Sequence, residues 1–153
     1  MRISAVSPAT EEVAALLHEL DGELEARYPG NPSRGIDVLN FERAGGYFVT
    51  VKEADVLLGC GGFRPIGDAC AEIKRMYVRP AVRRRGVARS VLRHLEIEIQ
   101  RRGFRSIVLE TGYGQPEAIA LYESEGYFPI PAFLDYVGNA VSRCYAKKAS
   151  PAN

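Results

Sequence analysis

Three consecutive arginines followed by a glycine form the part of the chain with the clearest chemical meaning. Residues 83–88 read Arg-Arg-Arg-Gly-Val-Ala, and a long segment with apolar residues at helical spacing follows them. The first turn of a helix has N–H groups without intrahelical acceptors and a partial positive charge, so it attracts anions. Gly86 lets a phosphate approach the backbone closely, and an arginine can chelate phosphate with two donors. This junction therefore predicts a phosphate site.

A run of arginines can also be a solvated surface or a nucleic-acid patch. The chain carries 20 basic and 19 acidic residues, with a formal net charge of +1. Nucleic-acid-binding proteins usually have a clear basic excess, so we expect no nucleic-acid partner. A Walker phosphate loop is excluded because no Gly-Lys-Ser/Thr occurs, and the Rossmann glycine pattern does not follow the first predicted strand.

The elements that must position this junction follow from apolar periodicity and turn residues. We predict a strand at 3–6, a helix capped by Thr10, a short helix at 36–43, and strands at 47–51, 56–63 and 71–78. A helix at 86–102, a strand at 106–110, a helix from Gln115 to Gly126 and one or two late strands complete the series. This order predicts a mixed α/β (α+β) domain, with a mostly antiparallel central sheet flanked by helices.

The chain has the usual length of one domain, with 153 residues. We expect a single domain over 1–148 and a disordered tail at 149–153. Three cysteines and two histidines fit no zinc spacing, so we expect no metal site and cysteines that pack in the core. The N-terminus lacks the apolar core of a signal peptide and no stretch reaches membrane-spanning length, so we expect a cytoplasmic protein without a membrane partner.

Two sequence blocks resemble one known family. Residues 83–88 match the signature Gln/Arg-x-x-Gly-x-Gly/Ala, and Met-Tyr-Val-Arg-Pro at 76–80 resembles the strand end that precedes it. Residues 115–127, Gln-Pro-Glu-Ala-Ile-Ala-Leu-Tyr-Glu-Ser-Glu-Gly-Tyr, resemble the segment Asn-x-x-Ala-x-x-Leu-Tyr-x-x-x-Gly-Phe. Over roughly 71–127 the chain thus resembles the GNAT superfamily of acetyl-CoA-dependent N-acetyltransferases. It departs from the pattern at Gln115 for Asn, Tyr127 for Phe, and Ala88 for the commoner Gly.

The resemblance implies a GNAT-like acyl-CoA N-acyltransferase fold and direct transfer of acetyl from acetyl-CoA to a primary amine in a ternary complex. It implies a cofactor site in which backbone N–H groups and arginines hold the pyrophosphate, at Arg83, Arg84, Arg85, Gly86, Val87 and Ala88. Met76 and Val78 would pair with the pantetheine arm where the sheet splays, and the Val78 N–H would polarise the thioester. Gln115 stands where the family's Asn contacts the cofactor.

The same resemblance suggests two catalytic residues. Tyr122 occupies the position where a family tyrosine faces the sulfur, so it would supply a proton to the departing thiolate, although it can also be a core tyrosine. Glu72 resembles a catalytic glutamate of some members. Strand alternation places it on one face with Lys74, Met76 and Val78, about 13 Å from Met76 at ~3.3 Å per residue, so a relay water is needed. A solvated or lysine-paired Glu72 is equally consistent, and Glu110 or water are rival bases.

The acceptor is less well specified by the sequence. We favour a small-molecule amine, with a protein or peptide amine and a non-catalytic acyl-CoA sensor as alternatives. Tyr28 with the loop at 29–35, and Asp135 with Tyr136, are candidates for the acceptor pocket. His18 and His94 are expected to be exposed, and the late strands could pair between subunits of a homodimer.

Overall fold

The structure is a computed structural model that describes residues 1–31 and 35–149. In these residues the chain forms four α-helices and seven strands. In chain order they are β1 (Arg2–Ala5), α1 (Glu11–Arg27), α2 (Val38–Arg43), β2 (Tyr47–Glu53), β3 (Val56–Ile66), β4 (Cys70–Val78), α3 (Val87–Arg101), β5 (Ser106–Gly112), α4 (Pro116–Ser124), β6 (Phe128–Ile130) and β7 (Ser142–Lys148). Short 3-10 turns lie at Pro80–Val82 and Leu134–Tyr136.

All seven strands belong to one sheet, in the order β1-β2-β3-β4-β5-β7-β6. Every neighbouring pair is antiparallel except β4 and β5. The apolar stripe of α3 packs on one face of the sheet, and α1 and α2 pack on the other. The prediction of a mixed, mostly antiparallel sheet flanked by helices is confirmed.

The sheet splays between its two parallel strands. Strands β4 and β5 pair only from Cys70 opposite Ser106 to Ile73 opposite Leu109. Beyond that point β4 keeps its pairing with β3, and β5 keeps its pairing with β7. The two strands therefore end with unpaired facing edges, and the sheet opens into a cleft, as the resemblance implied.

A bulge in β4 changes which side chains share a face. The β3–β4 register shifts between Cys60 and Gly62, and Arg75 has a left-handed backbone with φ of 60°. One extra residue in a strand reverses the alternation beyond it. Met76 consequently contacts the core under α3, whereas Glu72 points to the opposite face, where it meets Tyr136. The prediction that Glu72, Lys74, Met76 and Val78 share one face is wrong for this reason.

The packed domain reaches at least Ala149. This residue is buried, and its N–H donates to the carbonyl of Arg105. The rest of the predicted tail, 150–153, and residues 32–34 of the predicted 29–35 loop lie outside the described residues.

None of the three cysteines forms a disulfide bond. Cys60 and Cys144 are buried, Cys70 is half-buried, and all three are free. The described part of the chain has no group of three His, Cys, Asp or Glu residues that could hold a metal ion. Among the same residues, no helix is both long and apolar enough to cross a bilayer.

Candidate active site

A cleft of about 650 Å³ lies at the splayed end of the sheet, between β4, the start of α3 and α4. It is lined by nine residues that the sequence assigned to the site: Met76, Val78, Arg83, Arg84, Gly86, Val87, Ala88, Gln115 and Tyr122. The two other assigned residues, Arg85 and Glu72, are not among its lining residues. The structure thus assembles most of the assigned residues around one opening.

The N-terminus of α3 forms one end of this cleft. Gly86 is its N-cap, with a left-handed φ of 80°, a conformation that suits glycine best. The first hydrogen bond along the helix runs from the Ser90 N–H to the Gly86 carbonyl. The N–H groups of Val87, Ala88 and Arg89 therefore have no acceptor within the helix. With no acidic residue in its first turn, this helix end can accept an anion.

Arg83 braces the loop before α3. Its guanidinium lies 2.8 Å and 3.0 Å from the two carboxylate oxygens of Glu23 on α1, and its Nε donates to the Val78 carbonyl. The hydrogen bonds to Glu23 are the main reason why the pKa of Arg83 is raised. Its charge is thus already paired, and Arg83 joins α1 to the end of β4.

The backbone of Val78 faces the opening. The Arg79 N–H donates to the Leu58 carbonyl on β3. In an antiparallel ladder the neighbouring residue then directs its N–H and C=O to the other side, away from β3. The Val78 carbonyl accepts from the Nε of Arg83. The N–H of Val78 is left to face the cleft.

Arg84 and Arg85 are the exposed arginines of the run. The side chain of Arg84 is 86% exposed and lies 3.3 Å from Glu117. Arg85 lies 2.9 Å from Glu53 and points outside the cleft lining. Exposed ion pairs are weak, so Arg84 can exchange Glu117 for a phosphate at little cost. Sequence reasoning missed Arg89, which also lines the cleft and pairs with Glu125 at 2.6 Å.

Gln115 fixes the turn between β5 and α4. Its Oε1 accepts from the Gly112 N–H at 3.0 Å, from the Thr111 hydroxyl at 3.3 Å and from the Tyr28 hydroxyl at 3.4 Å. The side-chain oxygen is therefore used within the protein. Only the amide NH₂ remains for a cofactor contact, since an amide has one oxygen and one nitrogen.

Tyr122 lies on α4 in the wall of the cleft. It is 6% exposed, and its ring packs edge-on against Tyr127. Burial, with a smaller effect of the Glu110 charge, raises the pKa of Tyr122 to about 12. Within the described part of the chain its hydroxyl has no hydrogen-bond partner. The phenol is thus protonated at neutral pH and available to donate to a bound group.

A second, smaller cavity of about 140 Å³ adjoins the cleft on the α1 side of the sheet. It is lined by polar side chains from several elements, including Tyr28, Lys74, Glu110, Thr111, Tyr136 and Asn139. Tyr28 and Tyr136 were expected there, whereas Asp135 is not among the lining residues. The two openings share Leu20, Met76, Gln115, Ala118 and Tyr122. A group held in one opening therefore meets a group held in the other beside Tyr122.

The two candidate carboxylates differ in their access to this cavity. Glu72 has no exposed surface, and its oxygens accept from Arg64 Nε and from the Tyr136 hydroxyl, both at 2.8 Å. It does not line the cavity. Glu110 does line it, and accepts from the Ser142 hydroxyl at 2.6 Å. Burial, reinforced by the charge of Glu72, raises the pKa of Tyr136.

The two histidines lie away from both openings. His18 is exposed, as expected. His94 is half-buried rather than exposed, because its ring stacks on Tyr47 and its Nε2 lies 3.0 Å from the Tyr47 hydroxyl. Neither histidine lines the cleft or the cavity.

Comparison with known families gives one match that spans most of the chain. The family described as "Acetyltransferase (GNAT) family" matches residues 13–127. An "IAA acetyltransferase" of Azospirillum brasilense is 30% identical over 126 residues, which are 82% of this chain and 82% of that protein.

Solved structures with the same architecture cover nearly the whole chain. A protein from Klebsiella pneumoniae, described as a candidate acyl-CoA N-acyltransferase, is similar with a TM-score of 0.83 and 25% identity over 97% of both chains. A GNAT family acetyltransferase from Elizabethkingia anophelis, with acetyl-CoA bound, has a TM-score of 0.70 and 15% identity over 96% of this chain and 97% of that one. At that identity the second likeness concerns the fold alone.

Proposed function

The chain belongs to the GNAT family of acetyltransferases and is an acetyl-CoA-dependent acyltransferase; we therefore propose that it transfers acetyl to the primary amine of a small molecule, by direct attack in a ternary complex. The observation that carries this proposal is the meeting of two openings beside Tyr122. One opening ends at an anion-binding helix terminus, and the other is lined by hydroxyl, amide and charged groups. Donor and acceptor can thus be held together.

The larger cleft suits acetyl-CoA in shape and in chemistry. In our proposal the N–H groups of Val87, Ala88 and Arg89 hold the pyrophosphate, and Arg84 adds a mobile charge at its rim. The cleft reaches from there along Met76 and Val78 to Tyr122. Gln115 contributes its NH₂ group, and Arg83 keeps the loop in place rather than contacting phosphate.

Acetyl-CoA supplies the thioester, and side chains of this chain would perform the proton steps. Glu110 accepts a proton from the acceptor's ammonium, directly or through water, so that the amine nitrogen can attack the thioester carbonyl carbon. The Val78 N–H donates to the carbonyl oxygen as charge develops on it. The new C–N bond forms, the C–S bond breaks, sulfur leaves as a thiolate, and the nitrogen loses its second proton to water.

Tyr122 would stabilise that thiolate mainly as a hydrogen-bond donor. With a pKa of about 12, its phenol is protonated when the sulfur departs. Full transfer of the proton to a thiolate is uphill, because an ordinary thiol has a pKa of roughly 8.5. A hydrogen bond to the sulfur lowers the barrier without that transfer, and the final proton can come from water.

The smaller cavity favours a small acceptor over a protein one. It is lined by residues of α1, by Tyr28 and by Tyr136 of the late 3-10 turn, and its volume is only about 140 Å³. A protein amine would have to insert a side chain or a terminus beneath α1. A non-catalytic acyl-CoA sensor is a weaker alternative, since a sensor needs neither a partner-free phenol nor a carboxylate beside it.

The proposed activity is tested by thiol release from acetyl-CoA against a panel of small amines and peptides. We expect release that depends on a small primary amine and yields its N-acetyl product by mass spectrometry. If thiol is released only with peptides, the acceptor is a protein or peptide amine and not a small molecule. Binding of acetyl-CoA by calorimetry with no release for any amine would favour the sensor.

We also propose a cytoplasmic location, which suits three free cysteines, and a homodimer paired through the late strands. Strand β6 lies at the edge of the sheet, and Phe128 in it is half-exposed.

A further inference from the structure

Lys74 is a buried cation in the wall of the smaller cavity, and the reaction described above does not use it. Its side chain is 7% exposed. Its Nζ donates to the Tyr136 hydroxyl at 3.2 Å, while the Glu72 carboxylate is 3.9 Å away, too far for a hydrogen bond. An ammonium has three donors. The remaining N–H groups of Lys74 are available to a ligand in the cavity.

The pairing of this lysine is incomplete for a buried charge. Burial lowers the pKa of Lys74, and the negative charges of Glu72 and Glu110 offset this only in part. Glu72 is itself shared, since Arg64 and Tyr136 each take one of its oxygens. A buried charge is costly unless it is paired and hydrogen-bonded. An anion entering the cavity would complete the surroundings of Lys74.

The position of Lys74 in the sheet places it beside Glu110. The last paired residues of the two parallel strands are Ile73 on β4 and Leu109 on β5. The next residue on each strand, Lys74 and Glu110 respectively, is therefore the first one where the strands separate. Both line the same cavity. Neighbouring strands are about 4.8 Å apart where they pair and farther apart beyond the splay. A cation and a carboxylate thus stand side by side at the mouth of the splay.

We propose that the acceptor is a short amino acid, whose carboxylate binds Lys74 and whose amine lies beside Glu110. This inference deepens the proposed acetyltransferase function and rests on it. The cavity volume of about 140 Å³ suits a compact molecule. Opposite charges on adjacent strands match a molecule that carries both an ammonium and a carboxylate a few atoms apart. Tyr136 orients Lys74 toward this carboxylate.

The test compares amino acids with their amino alcohols, such as alanine with alaninol, which keep a basic amine and lose the carboxylate. Thiol release is measured for the twenty amino acids, β-alanine and the matched alcohols, with wild type, Lys74→Met and Lys52→Met. We expect kcat/KM for the preferred amino acid to exceed that of its alcohol by at least roughly 10-fold, as a hydrogen bond to a charged group allows. Lys74→Met should abolish that preference, so that the acid and its alcohol are turned over with similar kcat/KM. Lys52→Met, on β2 and paired with Glu12, is the matched control and should keep the preference.

Each outcome bears on one of the two proposals. Two results with the wild-type protein would overturn the amino-acid assignment, even if Lys74→Met failed to fold. One is equal turnover of amino acids and their alcohols; the other is turnover only of amines that lack an anionic group. If folded Lys74→Met still preferred the amino acid to its alcohol, Lys74 would have only a structural role beside Glu72. That result would also overturn the amino-acid assignment. If the protein binds acetyl-CoA but turns over no amino acid, the amino-acid assignment is wrong while the proposed acetyltransferase function stands. If the wild-type protein does not bind acetyl-CoA, the proposed function itself is wrong.

Discussion

At the scale of single residues, the site depends on which polar groups are already bonded within the protein. Arg83 and Gln115 both stand in the sequence blocks that resemble the family, yet their side chains are largely engaged with Glu23 and with the β5–α4 turn. Tyr122 shows the opposite arrangement, because it is buried and its hydroxyl has no partner among the described residues. A residue pattern identifies these positions, but their bonding state depends on residues distant in the chain.

We predict that Tyr122→Phe lowers kcat on the order of 100-fold, as expected when a hydrogen-bond donor to a developing negative charge is removed. The affinity for coenzyme A should stay the same, because the ring and its contact with Tyr127 are retained. Steady-state kinetics with calorimetry measure the two effects separately. Tyr47→Phe is the control, since its hydroxyl bonds His94 away from both openings. An unchanged kcat in Tyr122→Phe would remove Tyr122 from the chemistry.

We predict that Glu110→Gln and Glu72→Gln have different effects. Glu110→Gln should lower kcat/KM on the order of 100-fold near neutral pH, with recovery at alkaline pH, where the free amine no longer needs a base. Glu72→Gln should keep the shape of the pH–rate profile, but it removes the charge that pairs buried Glu72 with the partly exposed Arg64, and it should destabilise the fold by about 1–3 kcal/mol. The pH dependence of kcat/KM measures the first effect, and urea unfolding measures the change in stability. A shifted profile in Glu72→Gln alone would restore Glu72 as the base.

At the scale of elements, the splay and the bulge position the active site, and the sequence predicts them unequally. The strand end, the glycine and the apolar helix are adjacent in the chain, so local rules are enough to predict the proposed phosphate site. The bulge at Arg75 depends on pairing with β3, and single-strand alternation cannot reveal it. For this reason the face of Glu72 was predicted incorrectly, and the cavity residue Lys74 was missed.

Gly112 at the end of β5 tests how tightly the splay is packed against α1. An added Cβ would lie 2.2 Å from the Tyr28 hydroxyl and 2.4 Å from its ring. We predict that Gly112→Ala displaces this buried tyrosine and costs about 1–3 kcal/mol of stability. The KM for the amine should rise, because Tyr28 lines the smaller cavity, while coenzyme A affinity changes little.

Gly22→Ala provides the matched control for this substitution. Gly22 is an exposed residue of α1 with no heavy atom within 4 Å of an added Cβ, so alanine there should stabilise by up to about 1 kcal/mol. Thermal melts and amine titrations distinguish the two variants. If Gly112→Ala had the same stability and the same KM for the amine as wild type, Tyr28 would be able to move aside without cost, which would contradict the prediction.

At the scale of the whole molecule, fold class and element order could be predicted because each element carries its own periodicity and turn residues. What could not be predicted are the contacts that join distant segments around the cleft. Glu23 on α1 reaches Arg83, Tyr136 from the late 3-10 turn reaches Glu72 and Lys74, and Tyr28 reaches the Gly114 N–H. These contacts depend on the three-dimensional arrangement of the chain, and they shape the cleft and the smaller cavity.

The claim that the N-terminus of α3 holds the pyrophosphate of coenzyme A can be checked by calorimetry on two glycine variants. Gly86 and Gly103 lie before and after the same helix, with φ of 80° and 85° and no heavy atom within 4 Å of an added Cβ. Gly86→Glu and Gly103→Glu therefore impose similar backbone strain and the same added charge. We predict that Gly103→Glu binds coenzyme A like wild type and that Gly86→Glu shows no detectable binding. Wild-type affinity in a folded Gly86→Glu variant would contradict the claim.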